Sequence, residues 1–560
     1  MTTTDRSPWP DGGGDVVFLL DAANRVEKTL LLTWIVENLP TDGRSMDAIT
    51  VDLESARLAH PALPEVLSRS ESEAMVAPLR VVWSDGGAAR TGPRLRDLVF
   101  GDPRHPRAWM AKIVLFRHPE RARLVDAQPA TVGELSARYT ADEPADSHVV
   151  VDPDVETFAG HVLRDAAIAL DVAERRLDGR RYKVPRAVAA GIRDTPAYQR
   201  AVATLARSSG RSNRELIDES AGYLREMVAT PSTFFIDWTG KITRWIVSLG
   251  YGEIVTDERN VERAKAQVRD HPSALLWTHK SHLDGMAVLS VLYDNDFPSP
   301  HQMGGMNMAF RGLAGLSRRA GVIFIRRTFA DNPLYRLTLQ QYLGYLMDKR
   351  FPFSWAFEGT RSRTGKLMPP RYGLLKYVVE ASAATQARDL HIIPVAINYD
   401  LLGKAGDYVR QEAGQPKPPE DFGWFMSFLR SLRAPSGHLY LDFAEPVVLS
   451  GVIESAEQAD LERISFEVAR RVNELAPVTL PALMFTTLLG AAPRALTYSE
   501  LDAQMRSLLV WLRARDVRMA SNFDDAAIPR LAALARDHLR ARHGRSAHRW
   551  WRHRVQCPLR

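Results

Sequence analysis

The middle of the chain predicts an α/β fold, a central mixed sheet with flanking helices. It is preceded by a largely helical N-terminal domain and followed by a helical C-terminal region. Between residues 270 and 446, short apolar runs (Ser273–Thr278, Val322–Ile325, Phe353–Phe357, His391–Ile397, His438–Phe443) alternate with helical stretches, the mark of a largely buried sheet covered by helices. On either side, alanine, leucine, arginine and glutamate recur at helical spacing through Thr157–Val228, and the chain reads as helical again from Ser455 to about Arg542.

A chain of 560 residues is too long for one core, so several regions are expected. Residues 1–15, glycine-rich and polar, read as a disordered leader. Residues 16–152 read as an N-terminal α/β region, from the strand-like runs Val16–Leu20, Pro78–Trp83 and Val149–Val151 and a helical pattern over Asn24–Asn38. Residues 153–230 form a helical region, 231–450 the domain that holds the chemistry, 451–542 a helical C-terminal region and 543–560 a basic tail. Pro231 and Ser232 punctuate the chain, with Ser232 or Thr233 suited to cap the next helix. Pro394, inside an apolar run, implies an edge, a bulge or a strand start, since proline cannot donate to a ladder.

Hydrophobic residues at 45% and charged residues at 25% describe a folded chain and exclude global disorder. The single cysteine, Cys557, excludes an intrachain disulfide framework. Met1–Asp5 lacks the basic and apolar regions of a signal peptide, and no run of about 18 uncharged apolar residues marks a spanning helix. Pro481–Ala492 is too short to span and reads as a buried helix. A net charge of +6 suits phosphorylated substrates, acidic lipid or nucleic acid, although arginine-rich composition alone would produce it.

Three segments carry chemistry. In Leu275–Gly285 a strand runs into a polar cluster with His279 and, five residues on, Asp284. A carboxylate fixes an imidazole's tautomer, so the pair can take a proton from a hydroxyl that the substrate itself brings. His279, His282 and Asp284 could instead be metal ligands or a structural turn. Arg326 and Arg327 close the apolar run Val322–Ile325, where a planar fork could grip phosphate oxygens. In Trp355–Lys366, Glu358 and Gly359 lead into Arg361, Ser362, Arg363 and Lys366. The glutamate could orient the arginines or accept from a substrate hydroxyl. Gly365-Lys366 is no phosphate loop, because Thr360 stands where a glycine is needed and leucine follows the lysine.

Taken in order, these segments resemble the four blocks of the glycerolipid acyltransferase superfamily. His279–Asp284 matches the His-x4-Asp block, Ile323–Arg327 the second, Glu358–Arg363 the third and Ile393–Tyr399 the fourth. The form His-Lys-Ser-His-Leu-Asp, with Thr278 before it, is similar to glycerol-3-phosphate acyltransferases, and Gly179–Arg186 adds a likeness to the bacterial PlsB type. The resemblance covers roughly residues 155–500 and departs at the end, Trp550–Arg554, where a longer ordered tail is the family expectation.

That resemblance implies transfer of a fatty acyl group from acyl-CoA or acyl carrier protein to the sn-1 hydroxyl of glycerol 3-phosphate, the first step of phospholipid synthesis. It implies His279 as general base, Asp284 as its orienter, and no acyl-enzyme, cofactor or metal. Ser281, Arg326, Arg327, Glu358, Gly359, Arg361, Ser362, Arg363 and Lys366 would bind substrate. The competing readings are a lysophosphatidate or dihydroxyacetone-phosphate acyltransferase, a basic nucleic-acid-binding protein, and a silent membrane scaffold; no nucleic-acid partner is expected. Phe235, Trp238, Ile242, Trp245 and Leu249 share one helix face, with Asp237, Lys241, Arg244 and Ser248 on the other. An ordinary core helix fits this spacing equally well. The lipid substrate implied by the resemblance favours a helix lying in the headgroup layer of an anionic membrane, on the cytoplasmic side of the cell membrane.

Overall fold

The computed structural model describes residues 7–11, 14–41, 43–53, 60–83, 106–142, 158–178, 188–193, 195–305, 313–326, 331–362, 365–383, 389–402, 422–432, 436–449 and 461–528. Arg327, Arg363, Val149–Val151, Gly179–Arg186 and the 543–560 tail lie outside them.

The first sheet holds β1 (Val16–Asp21), β2 (Met46–Val51), β3 (Met75–Trp83), β4 (Ala122–Asp126) and β5 (Ala130–Thr131), in the order β2-β1-β3-β4 with β5 also on β3. β1 pairs in parallel with β2 and β3, and its six residues are all buried, as its unbroken apolar run requires. Asn24 caps the helix Arg25–Glu37 by accepting from the backbone N–H groups of Val26 and Glu27. The leader is not wholly free: Trp9 is buried, with its ring edge-on to Phe18 and its indole N–H donating to the Ile35 carbonyl at 3.0 Å. A buried indole needs such a partner. Residues 1–6 of the leader lie outside the described residues.

The helical stretch 153–230 divides between two cores rather than forming a region of its own. Val162, Leu163, Ala166 and Leu170 of the helix Phe158–Asp178 join the first sheet. Tyr198, Val202, Leu216, Leu224 and Met227, from the helices Pro196–Ser209 and Asn213–Met227, join the second. Helical spacing shows that a stripe must be buried, not which sheet face remains to cover it.

Between these bodies lies a buried ion cluster. Arg80 donates to Asp21 (2.5 Å), Asp171 (2.7 Å) and Glu174 (2.8 Å), while Lys349, just past the helix Pro333–Asp348 of the second body, donates to Asp171. Burial alone would raise the Asp171 carboxyl, but the Lys349 ammonium and Arg80 guanidinium beside it hold it well below the usual carboxylate range.

The second sheet comprises β6 (Ile254–Val255), β7 (Ser273–Trp277), β8 (His301–Gly305), β9 (Val322–Ile325), β10 (Phe353–Ala356), β11 (His391–Tyr399), β12 (Leu439–Phe443) and β13 (Val447–Val448). Its order is β6-β12-β11-β7-β10-β8-β9, with β13 on β11. From β11 to β9 all neighbours are parallel, whereas β12 and β13 run antiparallel to β11. The sheet is mixed, as expected, and covered on both faces: Ala274 and Leu276 of β7 enter one core, Leu275 and Trp277 the other. Pro394 is on an interior strand, not an edge. Its carbonyl accepts from Ala444 N–H, between β12 and β13, so the N–H it lacks would face that break in the ladder.

The helix Leu461–Leu475 packs on this sheet through Ile464, Val468 and Val472, while Leu480–Ala491 and Tyr498–Arg513 build a separate small core. The Pro481–Ala492 run is buried on one side only, since Phe485 and Leu489 are exposed. Among the described residues no helix is long and apolar enough to cross a membrane.

Candidate active site

Three parallel strands, β10, β7 and β11, end side by side, and the loop after β7 carries His279. Open α/β sheets gather ligands at such strand ends. Thr278 ties the loop down: its hydroxyl accepts from Ile397 N–H at 3.1 Å and its own N–H donates to Val395.

The His279 peptide is held from both ends by the turn after β10. Its N–H donates to Glu358 Oε1 at 2.7 Å, and its carbonyl accepts from Ser362 N–H at 2.7 Å. The other oxygen of Glu358 accepts from Met368 N–H at 2.8 Å. The glutamate, expected to organise arginines, instead joins the first and third blocks through backbone. Burial pushes its carboxyl up, and the two backbone donors counter that. Gly359 turns the chain at φ +65°, where a Cβ would also meet the Arg371 side chain at 2.6 Å.

Asp284 is fully buried (0% exposed) in the first turn of the helix Asp284–Asp294. Its Oδ2 accepts from the backbone N–H groups of Lys280 (2.6 Å) and Ser281 (2.7 Å) and lies 2.9 Å from His279 Nδ1, while Tyr399 donates its hydroxyl to Oδ1. Three donors and a helix N-terminus point at this carboxylate. A carboxylate only accepts, so His279 Nδ1 carries the proton and Nε2 keeps its lone pair. The half-buried imidazole is thereby set as a base.

Tyr399 and Lys280 were not singled out from the sequence. Tyr399 is partly buried, and desolvation raises its phenol well above the usual range, so it remains a donor. Lys280 donates to Asn398 at 2.6 Å; burial lowers its ammonium and the nearby Asp284 and Glu358 charges oppose this. The signal available was the polar Asn398-Tyr399-Asp400 ending an apolar strand at the same sheet edge.

The remaining candidates separate. Ser281 is buried and accepts from Leu283 N–H, shaping the turn. Ser362 is buried with its hydroxyl unpartnered. Arg361 donates to His282 Nδ1 at 3.1 Å, which spends that nitrogen's lone pair. With Asp284 filled by hydrogen-bond donors, the residues of this loop do not form a cation site. Lys366 is exposed. Arg326 ends β9, three strand spacings from β7, or about 14 Å. Its guanidinium grips Glu226 bidentately at 2.8 and 2.5 Å and lies against Tyr223 and Tyr335. The structure therefore gives Arg326 a carboxylate partner within the fold, and Glu226 was not foreseen.

Residues 254–398, which include His279, Asp284, Arg326, Glu358 and Arg361, match the model of the Acyltransferase family. This stretch is similar to an acyltransferase domain. Behind it, residues 408–553 match the glycerol-3-phosphate acyltransferase C-terminal region, so the likeness reaches into the Arg/Trp-rich tail. The resemblance read from the four blocks is borne out by both matches. Over 338 residues the chain is 32% identical to the putative acyltransferase plsB1 of Mycobacterium tuberculosis, covering 59% of this chain and 54% of that protein. Over 470 residues it is 27% identical to a glycerol-3-phosphate acyltransferase of Histophilus somni, covering 80% of this chain and 54% of that protein. The chain thus spans about half the length of the curated relatives it matches. The matched residues begin at β6 and end within β11, so β12 and β13 of the same sheet lie beyond them.

Proposed function

We propose that this protein transfers a fatty acyl group from a thioester, acyl-CoA or acyl carrier protein, to the sn-1 hydroxyl of glycerol 3-phosphate. The observation that carries the reading is the His279–Asp284 pair, buried carboxylate and half-exposed imidazole, at the end of β7 beside the arginine-bearing turn. His279 Nε2 takes the hydroxyl proton as the oxygen attacks the thioester carbonyl. The tetrahedral intermediate collapses, the C–S bond breaks and the proton leaves with the thiol. No enzyme nucleophile or cofactor enters this balance. Arg361, Arg363 and Lys366 supply positive charge for the phosphate, and the unpartnered Ser362 hydroxyl is a ready donor. Arg326, at the end of β9, contributes once its Glu226 pair opens, and Arg327, next in sequence, adds charge.

An assay offering glycerol 3-phosphate, dihydroxyacetone phosphate and lysophosphatidate side by side with acyl-CoA tests the acceptor. The highest kcat/KM is expected for glycerol 3-phosphate; a far higher value for lysophosphatidate sinks this reading. Tyr399→Phe removes a charge-assisted donor from buried Asp284, an interaction of about 1.5–3 kcal/mol, so turnover should fall roughly tenfold or more with acceptor KM little changed. Unchanged turnover would show that the backbone donors alone fix Asp284.

The protein works on the cytoplasmic surface of a membrane, through the helix Thr233–Ser248. Its inner face is Asp237, Gly240, Thr243, Ile246 and Val247, so Asp237 is buried rather than on the polar face. Gly240 permits the close approach, since a Cβ there would strike the Tyr293 ring at 2.4 Å. Trp238 (36% exposed) and Trp245 (54%) face outward beside exposed Lys241 and Arg244, while Phe235, Ile242 and Leu249 are half-buried. Exposed indoles flanked by cations suit an anionic interface. Sedimentation with anionic vesicles should weaken in salt and weaken further in Trp238→Ser/Trp245→Ser. A folded double variant that sediments like the parent would remove this helix from membrane contact.

A further inference from the structure

Among the described residues outside the catalytic loop, one group of side chains is placed to act as metal ligands. It lies at the opposite end of the sheet, where β7 and β11 begin. His271 closes the helix Glu258–Asp270, Asp389 precedes β11 and His391 opens it, and one donor atom from each lies within 4.8 Å of the others. We propose that His271, Asp389 and His391 form a binding site for a borderline divalent cation of the zinc, cobalt or nickel class, clamping the starts of β7 and β11.

Backbone geometry fixes the frame. His391 N–H donates to Pro272 at 2.9 Å, His391 stands beside Ser273 in the parallel register, and the Ser273 hydroxyl donates to the His271 carbonyl at 2.9 Å. Second contacts then select the tautomers. His391 Nδ1 meets the Gln267 side-chain oxygen at 2.5 Å, and His271 Nδ1 meets Asp389 Oδ2 at 2.7 Å. The Gln267 oxygen only accepts, so His391 Nδ1 carries the proton and its Nε2 keeps a lone pair for an ion, the usual arrangement around a metal. His271 Nδ1 and Asp389 Oδ2 already meet, and an ion held by both would replace the proton between them.

The two rings stack at 3.9 Å and 9°, so one ring must turn before both can point a nitrogen at one ion. Two nitrogens and one oxygen suit zinc-like ions better than magnesium or calcium, which prefer oxygen alone. A tetrahedral ion with bonds of about 2.0–2.1 Å places its donors about 3.4 Å apart, so donors up to 4.8 Å apart must close by up to about 1.4 Å. His271 and Asp389 are free enough to do so, at 35% and 39% side-chain exposure, and leave room for water at the fourth position. The five residues of β7, about 16 Å, separate this cluster from the His279 end, so the ion would stabilise the sheet rather than take part in transfer.

The test uses the full chain, stripped with chelator and titrated with Co2+, whose visible absorption reports tetrahedral nitrogen-oxygen coordination. One saturable equivalent per chain is expected, displaced by Zn2+, with Zn2+ raising the apparent Tm. His391 is buried, so the half-exposed partners are varied: His271→Ala and Asp389→Asn should keep the parent's circular dichroism, weaken Co2+ binding at least tenfold and abolish the Zn2+-dependent rise in Tm. A parent without a saturable Co2+ band overturns the proposal. So do folded variants that bind Co2+ like the parent, since the ion would then sit on other histidines.

Discussion

His279→Ala should lower kcat for acyl transfer by about 10²–10⁴-fold, equivalent to about 3–5 kcal/mol of transition-state stabilisation, with little change in acceptor KM. The split between kcat and KM follows from the geometry. His279 is fixed at its backbone by Glu358 and Ser362 and at its ring by Asp284, so its Nε2 meets the reacting hydroxyl while the phosphate-binding charges lie on a different loop. Removing the imidazole takes away the proton acceptor and leaves the anion-binding groups in place. Asp284→Asn should be nearly as damaging, for a different reason: the amide can present its NH2 to His279 Nδ1, which favours the tautomer with the proton on Nε2. Steady-state kinetics with varied glycerol 3-phosphate measures both. Near-normal turnover in a folded His279→Ala protein would take His279 out of the chemistry.

Arg80→Met should destabilise the protein by about 3–5 kcal/mol at neutral pH, the usual cost of removing one partner of a buried ion cluster. Arg80 is the hub of that cluster, and without it Asp171 keeps Lys349 while Asp21 and Glu174 lose their ion pairs to Arg80. The pH dependence has a definite sign. The folded-state pKa of Asp171 is depressed, so its contribution is present above the unfolded carboxylate value near 4 and is lost as pH falls through the folded one. The gap between parent and variant should therefore be widest near pH 7 and narrow in acid. Urea unfolding followed by tryptophan fluorescence can detect it, since Trp9, Trp34 and Trp83 all lie in the N-terminal core. An unchanged midpoint at pH 7 would mean that the cluster breaks even against its desolvation.

Much of the architecture was legible because it depends on local pattern. The apolar runs marked β1, β7, β9, β10, β11 and β12 to within a residue or two, since a strand covered on both faces has to be apolar throughout. The His279–Asp284 spacing pointed to a contact that the structure shows, because a short loop brings a strand end back to a helix start whatever surrounds it. Local pattern could not say that Asp237 would turn inward, because the helix Thr233–Ser248 rotates to let Gly240 meet Tyr293. It could not assign the helix Phe158–Asp178 to the first sheet and its successors to the second.

The chain's own order of residues determined the sheet, the His279–Asp284 pair and the arginine-bearing turn. Only the tertiary structure decided that Tyr399 holds Asp284, that Glu358 grips the His279 peptide, that Glu226 occupies Arg326 and that Arg80 meets Asp171. The first set rests on contacts within a few residues, or on periodicity that a strand or helix imposes. The second joins residues roughly 80 to 120 positions apart, and a single sequence carries no mark of which distant polar groups will meet.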